Sequence, residues 1–225
     1  ILHFGAVDQF CEIYMNTKKI SRHSGGYLPF SIDITKELKE GANTLIVKVT
    51  DESDTSYHTR GKQKLDRGGM FYTAQSGIWQ TVWLEWVPSL YITSLKITPL
   101  PGRKGVEIIV RLNSGELNDA LNKKGFRVDI LKKGKLLKSF RSKHPHMFIP
   151  MKVFEYWTPE NPVLYDITVT VGEDRVKSYF AMRTIEIKKD KDNIPCIYLN
   201  HKLYFQNGIL DQGYWPDGLY TAPSD

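Results

Sequence analysis

A chain of 225 residues with 41% hydrophobic and 12% aromatic content has ample material for one large or two ordinary packed domains. Its formal charge of +6 comes without any known nucleic-acid motif, so no nucleic-acid partner is expected. No stretch approaches the roughly 18 consecutive apolar residues of a membrane helix, so no membrane partner is expected either.

Short apolar runs rich in Val, Ile, Tyr, Phe and Trp, many with period two and separated by turn residues, predict an all-β chain. In the first block the strands are expected at residues 2–7, 10–15, briefly around Ile20, 45–49 and 80–86. Gly25 and Gly26 permit a reversal, and Pro29 fixes the backbone ahead of another strand. Only "TKELKEG", residues 35–41, reads as briefly helical, with Thr35 as its cap and Gly41 as its stop. "WVPSL" marks a boundary, because Pro88 interrupts the ladder.

A second block repeats the grammar at residues 91–97, 106–112, 126–131, 135–140, 164–171 and 176–187, the size and strand count of an immunoglobulin-like sandwich. Within it, nine Lys or Arg between Lys123 and Lys143 face a single Asp129, but they alternate with apolar residues as on the wet face of a half-buried sheet. "KKDKDN" then reads as a linker, and "CIYLNHKLYFQNGIL" as a hairpin turning at Asn200-His201, followed by a strand. The chain closes on "DQGYWPDGLYTAPSD". Residues just past the carboxyl end of a strand line the ligand site in barrels and open α/β sheets, so these aromatics are candidates for one wall of a site.

Signatures for nucleophiles, phosphates and zinc are missing. Cys11 and Cys196, 185 residues apart in the sequence, read as incidental thiols. His144 and His146 read as loop histidines, since a metal needs three or four ligands, and no metal or cofactor is expected. Asp51, Glu52 and Asp54 crowd one loop, where carboxylates usually accept backbone N–H groups. Asp211 and Asp217 flank the last aromatic cluster, and Asp211 at a strand end is the stronger candidate for a role.

"LHFGAVD", "HSGGYLPFSIDIT", "GANTLIVKVTDESD", "RGKQ" and "SGIWQTVWLEWVP" resemble the later half of the sugar-binding sandwich of family 2 glycoside hydrolases, the β-galactosidase and β-glucuronidase group. "WTPENPVLYDITV" with "FAMRTIEI" is similar to the end of that family's immunoglobulin-like domain, and "LNHKLYFQNGILDQGYWPDGLYTAPSD" resembles the opening of its catalytic (β/α)8 barrel. The resemblance implies a jelly-roll-like β-sandwich domain, incomplete in its first half, at 1–88, an immunoglobulin-like β-sandwich at 89–184, and the start of a TIM barrel at 185–225.

It also implies a retaining exo-β-glycosidase as parent, acting on β-linked carbohydrate with two glutamates about 5 to 5.5 Å apart on later barrel strands. Both glutamates are then expected beyond Asp225, so no catalytic residue is assigned and the chain alone should be inactive. The matching positions for sugar contact are Asp211 and Gln212, with Tyr214 and Trp215 able to stack on a pyranose. Some relatives extend an acidic loop into the site from the first domain; here that stretch, 67–75, carries no carboxylate, and the nearest is Asp66.

The turns that relatives build with Asn-Gly read Asn16-Thr17 and Asn200-His201 here, and both are expected to survive. With no initiator methionine, truncation at both ends is expected, with unpaired strand edges that favour self-association and no indication of compartment. Two readings stay beside the glycosidase fragment: a lectin-like module with Trp79, Trp83, Trp86, Tyr214 and Trp215 as stacking candidates, and a structural or adhesion protein. For Trp79, Trp83 and Trp86 core packing is the expected use.

Overall fold

The structure, a computed structural model, describes residues 1–113, 125–211, 213–219 and 221–224. It is all-β among those residues, with only three short 3-10 turns, and it divides into two compact units: residues 1–86 with 210–225, and residues 87–209.

The first unit contains β1 (Leu2–Phe4), β2 (Val7–Asp8), β3 (Phe10–Met15), β4 (Lys18–Ser24), β5 (Phe30–Ile32), β6 (Leu45–Thr50), β7 (Gln63–Lys64), β8 (Tyr72–Thr73), β9 (Gly77–Ile78) and β10 (Val82–Leu84). Its two larger sheets run β10-β1-β5 and β4-β3-β6. Period-two alternation sends Leu2 and Phe4 from β1, and Cys11, Ile13 and Met15 from β3, into one core with Val7 and Ile34. The run expected over residues 2–7 is two strands, because the chain breaks step at Gly5. A Cβ on Gly5 would lie 2.6 Å from Gln80 Cβ, so the neighbouring backbone can approach only a glycine.

Asn16 and Thr17 carry the β3–β4 turn at φ 50° and 71°, as expected of a hairpin without glycine. The helical expectation for residues 35–41 reduces to one 3-10 turn, Thr35–Glu37. Thr35 is not its cap: Asp33 Oδ1 accepts both the Thr35 backbone N–H and its hydroxyl, and Ile34 stands at the cap position. A local carboxylate thus takes the donor that a longer helix would have used.

The second unit contains β11 (Ile92–Leu100), β12 (Gly105–Leu112), β13 (Phe126–Lys132), β14 (Lys135–Ser142), β15 (His146–Pro150), β16 (Tyr165–Val171), β17 (Asp174–Phe180), β18 (Ile185–Lys189), β19 (Pro195–Leu199) and β20 (Lys202–Leu203). Sheets β11-β12-β15 and β14-β13-β16-β17 give the seven strands of an immunoglobulin-like sandwich. Between them pack Val106, Ile108 and Val110 of β12, Phe126, Val128 and Ile130 of β13, Ile149, and Tyr165, Ile167, Val169 and Val171 of β16. The Tyr165 ring stacks at 5.5 Å on Phe180, and its hydroxyl oxygen accepts the Glu155 N–H at 2.8 Å, so its polar end is satisfied inside the core.

Three expectations need correction here. The run over residues 176–187 is two strands in different sheets, β17 and β18, parted at residues 181–184. "KKDKDN" is no linker: Lys188 and Lys189 end β18, and Asp190 Oδ1 accepts the N–H groups of Asp192 and Ile194 to close the turn into β19. The chemistry of an Asx turn outweighs what the charge density implied. The strand expected before Asp211 does not form; after β20 the chain from Tyr204 to Leu210 joins no ladder, and Ile209 is 95% exposed. A strand is stabilised by neighbours, and no described segment supplies one. Asn200 and His201, at φ 50° and 67°, carry the expected β19–β20 turn.

Candidate functional site

The first unit holds an open cavity of about 390 Å³ lined by Tyr27, Arg60, Gly61, Lys62, Gln63, Tyr72, Gly213 and Tyr214. Its floor comes from the parallel pair β7–β8, which sets Gln63 opposite Tyr72. Gln63 is 7% exposed and is held on three sides: its Nε2 donates to the Arg60 carbonyl at 2.9 Å and to the Tyr27 hydroxyl at 3.4 Å, and its Oε1 accepts the Gln75 N–H at 2.8 Å. Tyr27 is wedged at 64° against Trp79, whose indole N–H donates to the Gly26 carbonyl at 2.7 Å. Burial first, and the nearby Asp8 carboxylate second, push the Tyr27 phenol above its ordinary pKa. It remains a neutral hydroxyl whose oxygen accepts from Gln63.

The fourth wall comes from the far end of the chain. Tyr214 stacks on Tyr72 with centroids 4.8 Å apart at 21°, and its hydroxyl donates to the Thr73 carbonyl. Thr221 Oγ1 donates to the Trp79 carbonyl at 2.9 Å, a second tie from the same segment. Trp215 and Leu219 form an isolated antiparallel bridge that bends residues 216–218 into a turn.

Of the four residues proposed from sequence for sugar contact, only Tyr214 lines this cavity. Trp215 is half-buried with its ring over Gly213, where an added Cβ would lie 2.8 Å from the indole Cζ3. Asp211 is exposed and does not line the cavity; Gln212 lies outside the described residues. The residues that sequence reasoning missed are Tyr27, Arg60, Lys62, Gln63 and Tyr72. "RGKQ" was legible as a motif, but the parallel pairing that sets it against a tyrosine joins positions nine apart through an irregular loop with no periodic signal.

The other candidates fall into structural roles. Asp51 accepts the Ser53 N–H at 2.7 Å and the Ser76 hydroxyl at 2.6 Å, and Asp217 accepts the Gly218 N–H at 2.8 Å, the turn chemistry expected of such carboxylates. His146 is not a loop residue: it opens β15, and its Nε2 lies 2.9 Å from Glu107 Oε1 on the neighbouring strand. Core packing, expected of three tryptophans, does not describe Trp83, which is 44% exposed and stacked on His3 at 4.7 Å, nor Trp86, which is 92% exposed. Cys11 is buried and Cys196 half-buried, both as free thiols. A larger hollow of about 780 Å³ lies in the second unit, with Phe126, Arg141 and Thr170 in its lining.

The described chain thus consists of two β-rich units, the first bearing an aromatic and hydrogen-bonding cavity. Residues 1–88 match the family described as "Glycosyl hydrolases family 2, sugar binding domain", and the chain is similar to proteins named as β-glucuronidases and β-galactosidases along nearly its whole length. It is 28% identical over 221 residues to a putative β-glucuronidase of Formosa agariphila, covering 92% of this chain and 25% of that protein. It is 25% identical to the β-galactosidase large subunit of Leuconostoc lactis, covering 93% of this chain and 33% of that one. A solved β-glucuronidase from an uncultured Clostridium superposes with a TM-score of 0.67 at 25% identity, over 91% of this chain and 34% of its own. The chain therefore spans a quarter to a third of the curated relatives named here.

Proposed function

We propose that this chain is a non-catalytic part of a retaining exo-β-glycosidase, and that its first unit contributes binding surface to the sugar. In this reading residues 1–88 are the sugar-binding domain, 89–184 the immunoglobulin-like domain, and 185–225 the opening of a catalytic barrel whose glutamates lie on strands beyond it. One observation carries the reading. Tyr214, from the segment that resembles the barrel's opening, is packed onto Tyr72 of the sugar-binding unit and completes a cavity large enough for a monosaccharide. Stacked tyrosines present apolar faces to the C–H face of a pyranose, and Gln63 and the Tyr27 hydroxyl supply polar groups beside them.

The 225-residue protein should hydrolyse nitrophenyl β-galactoside and β-glucuronide no faster than buffer. Hydrolysis lost on substituting one of its own carboxylates would overturn the reading. A second reading, a lectin-like module, is favoured by the cavity's combination of two tyrosines in a stack with Gln63 and the Tyr27 hydroxyl, all within the first unit. Micromolar affinity of the 225-residue protein for an oligosaccharide supports the module, and millimolar affinity supports the fragment.

A further inference from the structure

Among the described residues that line the cavity of the first unit, two are cations and none is an acid. Arg60 and Lys62 line it, and neither is in an ion pair among the described residues. Arg60 donates through Nη1 to the Ser56 carbonyl at 3.3 Å, which fixes the side chain while leaving most of its donor fork unused; Lys62 has no side-chain hydrogen bond among the described residues. Their neighbours on the same stretch are engaged. The Lys64 ammonium sits 4.2 Å over the Phe71 ring, and Arg67 donates to Thr73 Oγ1 at 2.8 Å. Two acids act on the Tyr27 phenol from outside the lining: Asp51, which accepts from Ser53 and Ser76, and Asp8, which is 3% exposed. Tyr27 and the Tyr72–Tyr214 stack line the same space, and among the described residues no carboxylate does.

We propose that this cavity selects a saccharide bearing one negative charge, a carboxylate or a sulfate ester, with its ring against the stacked tyrosines and its anion towards Arg60 and Lys62. The inference rests on the reading of the cavity as a carbohydrate site. A neutral sugar entering here strips water from two cations and offers only hydroxyls in return, whereas an anion replaces that water with charge-assisted hydrogen bonds. The guanidinium fork suits either anion. The cavity is open to solvent, so screening holds the preference to roughly tenfold, equivalent to about 1.4 kcal/mol.

Methyl β-glucuronide, galactose 6-sulfate and methyl β-galactoside, titrated into the 225-residue protein and followed by NMR, test this directly. At low salt one or both anionic sugars should bind about tenfold more tightly than the neutral one, with the margin shrinking as salt rises. Which anion wins identifies the source of the charge. Lys62→Gln removes no side-chain hydrogen bond or ion pair among the described residues and should remove much of the preference, by weakening the anionic sugars more than the neutral one; Arg60→Gln, checked for its melting temperature, should do the same. Equal affinity for all three sugars, or a preference that survives both substitutions, overturns the proposal and leaves the carbohydrate reading standing. If none of the three sugars binds, both fall.

Discussion

The two units use the same strand grammar to different completeness. Among the described residues the second unit buries fifteen side chains in one core between sheets of three and four strands, and the first buries seven between two sheets of three. The first also leaves both faces of β6 partly open, with Leu45 and Ile46 exposed, and Leu84 on the edge strand β10 is 62% exposed. Alternation decides which residues face inward, but the number of layers that close over them decides how much that alternation stabilises. Unpaired edges at β6 and β10 are where self-association would begin.

The sharpest way to break the comparison is to make the same deletion in both cores. Ile167→Ala, on a strand with neighbours on both sides, should destabilise the second unit by about 3 to 5 kcal/mol, whereas Ile13→Ala should cost the looser first unit about 2 kcal/mol. Both side chains are fully buried, so a difference reflects how far each site collapses around the cavity. Denaturant unfolding read by hydrogen exchange in each unit separates the two, and an equal or larger cost for Ile13→Ala would show the first core to be as tight as the second.

A smaller effect comes from a turn. Thr17 is β-branched and held at φ 71°, so Thr17→Gly should stabilise the first unit by up to about 1 kcal/mol, visible as a raised melting temperature. A loss of stability would mean that the Thr17 hydroxyl bond to the Asn16 carbonyl outweighs the backbone strain.

The smallest effect concerns charge. In the first unit a hydrogen bond from Lys19, aided by the Tyr14 hydroxyl, holds the Glu12 carboxyl below its usual range; in the second, Lys132 does the same for Glu155. A depressed carboxylate pKa contributes stability above the ordinary glutamate value and loses it as pH falls through the folded value. Both groups are solvent-exposed, so Glu12→Gln and Glu155→Gln should each flatten the acid limb of stability only slightly. Carboxyl 13C titration should find both midpoints below that of a free glutamate, and a midpoint at the free value would remove the effect for that unit.

Strand existence was legible wherever local alternation and local turns agreed. β3 was readable to the residue, and the Asn16-Thr17 and Asn200-His201 turns needed only their neighbours. What escaped depended on partners distant in sequence: β15, which pairs with β12 across a long gap, and the break between β17 and β18, which no period announces. The cavity shows the same division. Tyr214 could be picked out as an aromatic near the end of the given sequence, but its partner Tyr72 sits on the two-residue strand β8, whose register only the fold supplies.

The closing residues 210–225 group with residues 1–86, although 123 intervening positions build the other unit. On the ribosome, where emergence runs at about 5–20 residues per second, Tyr72 must wait on the order of ten seconds for Tyr214 to appear. Through that interval the nascent first unit shows its aromatic hollow uncovered, while the second unit completes its sandwich. The order of translation, and not only the final contacts, thus completes the first unit after the second.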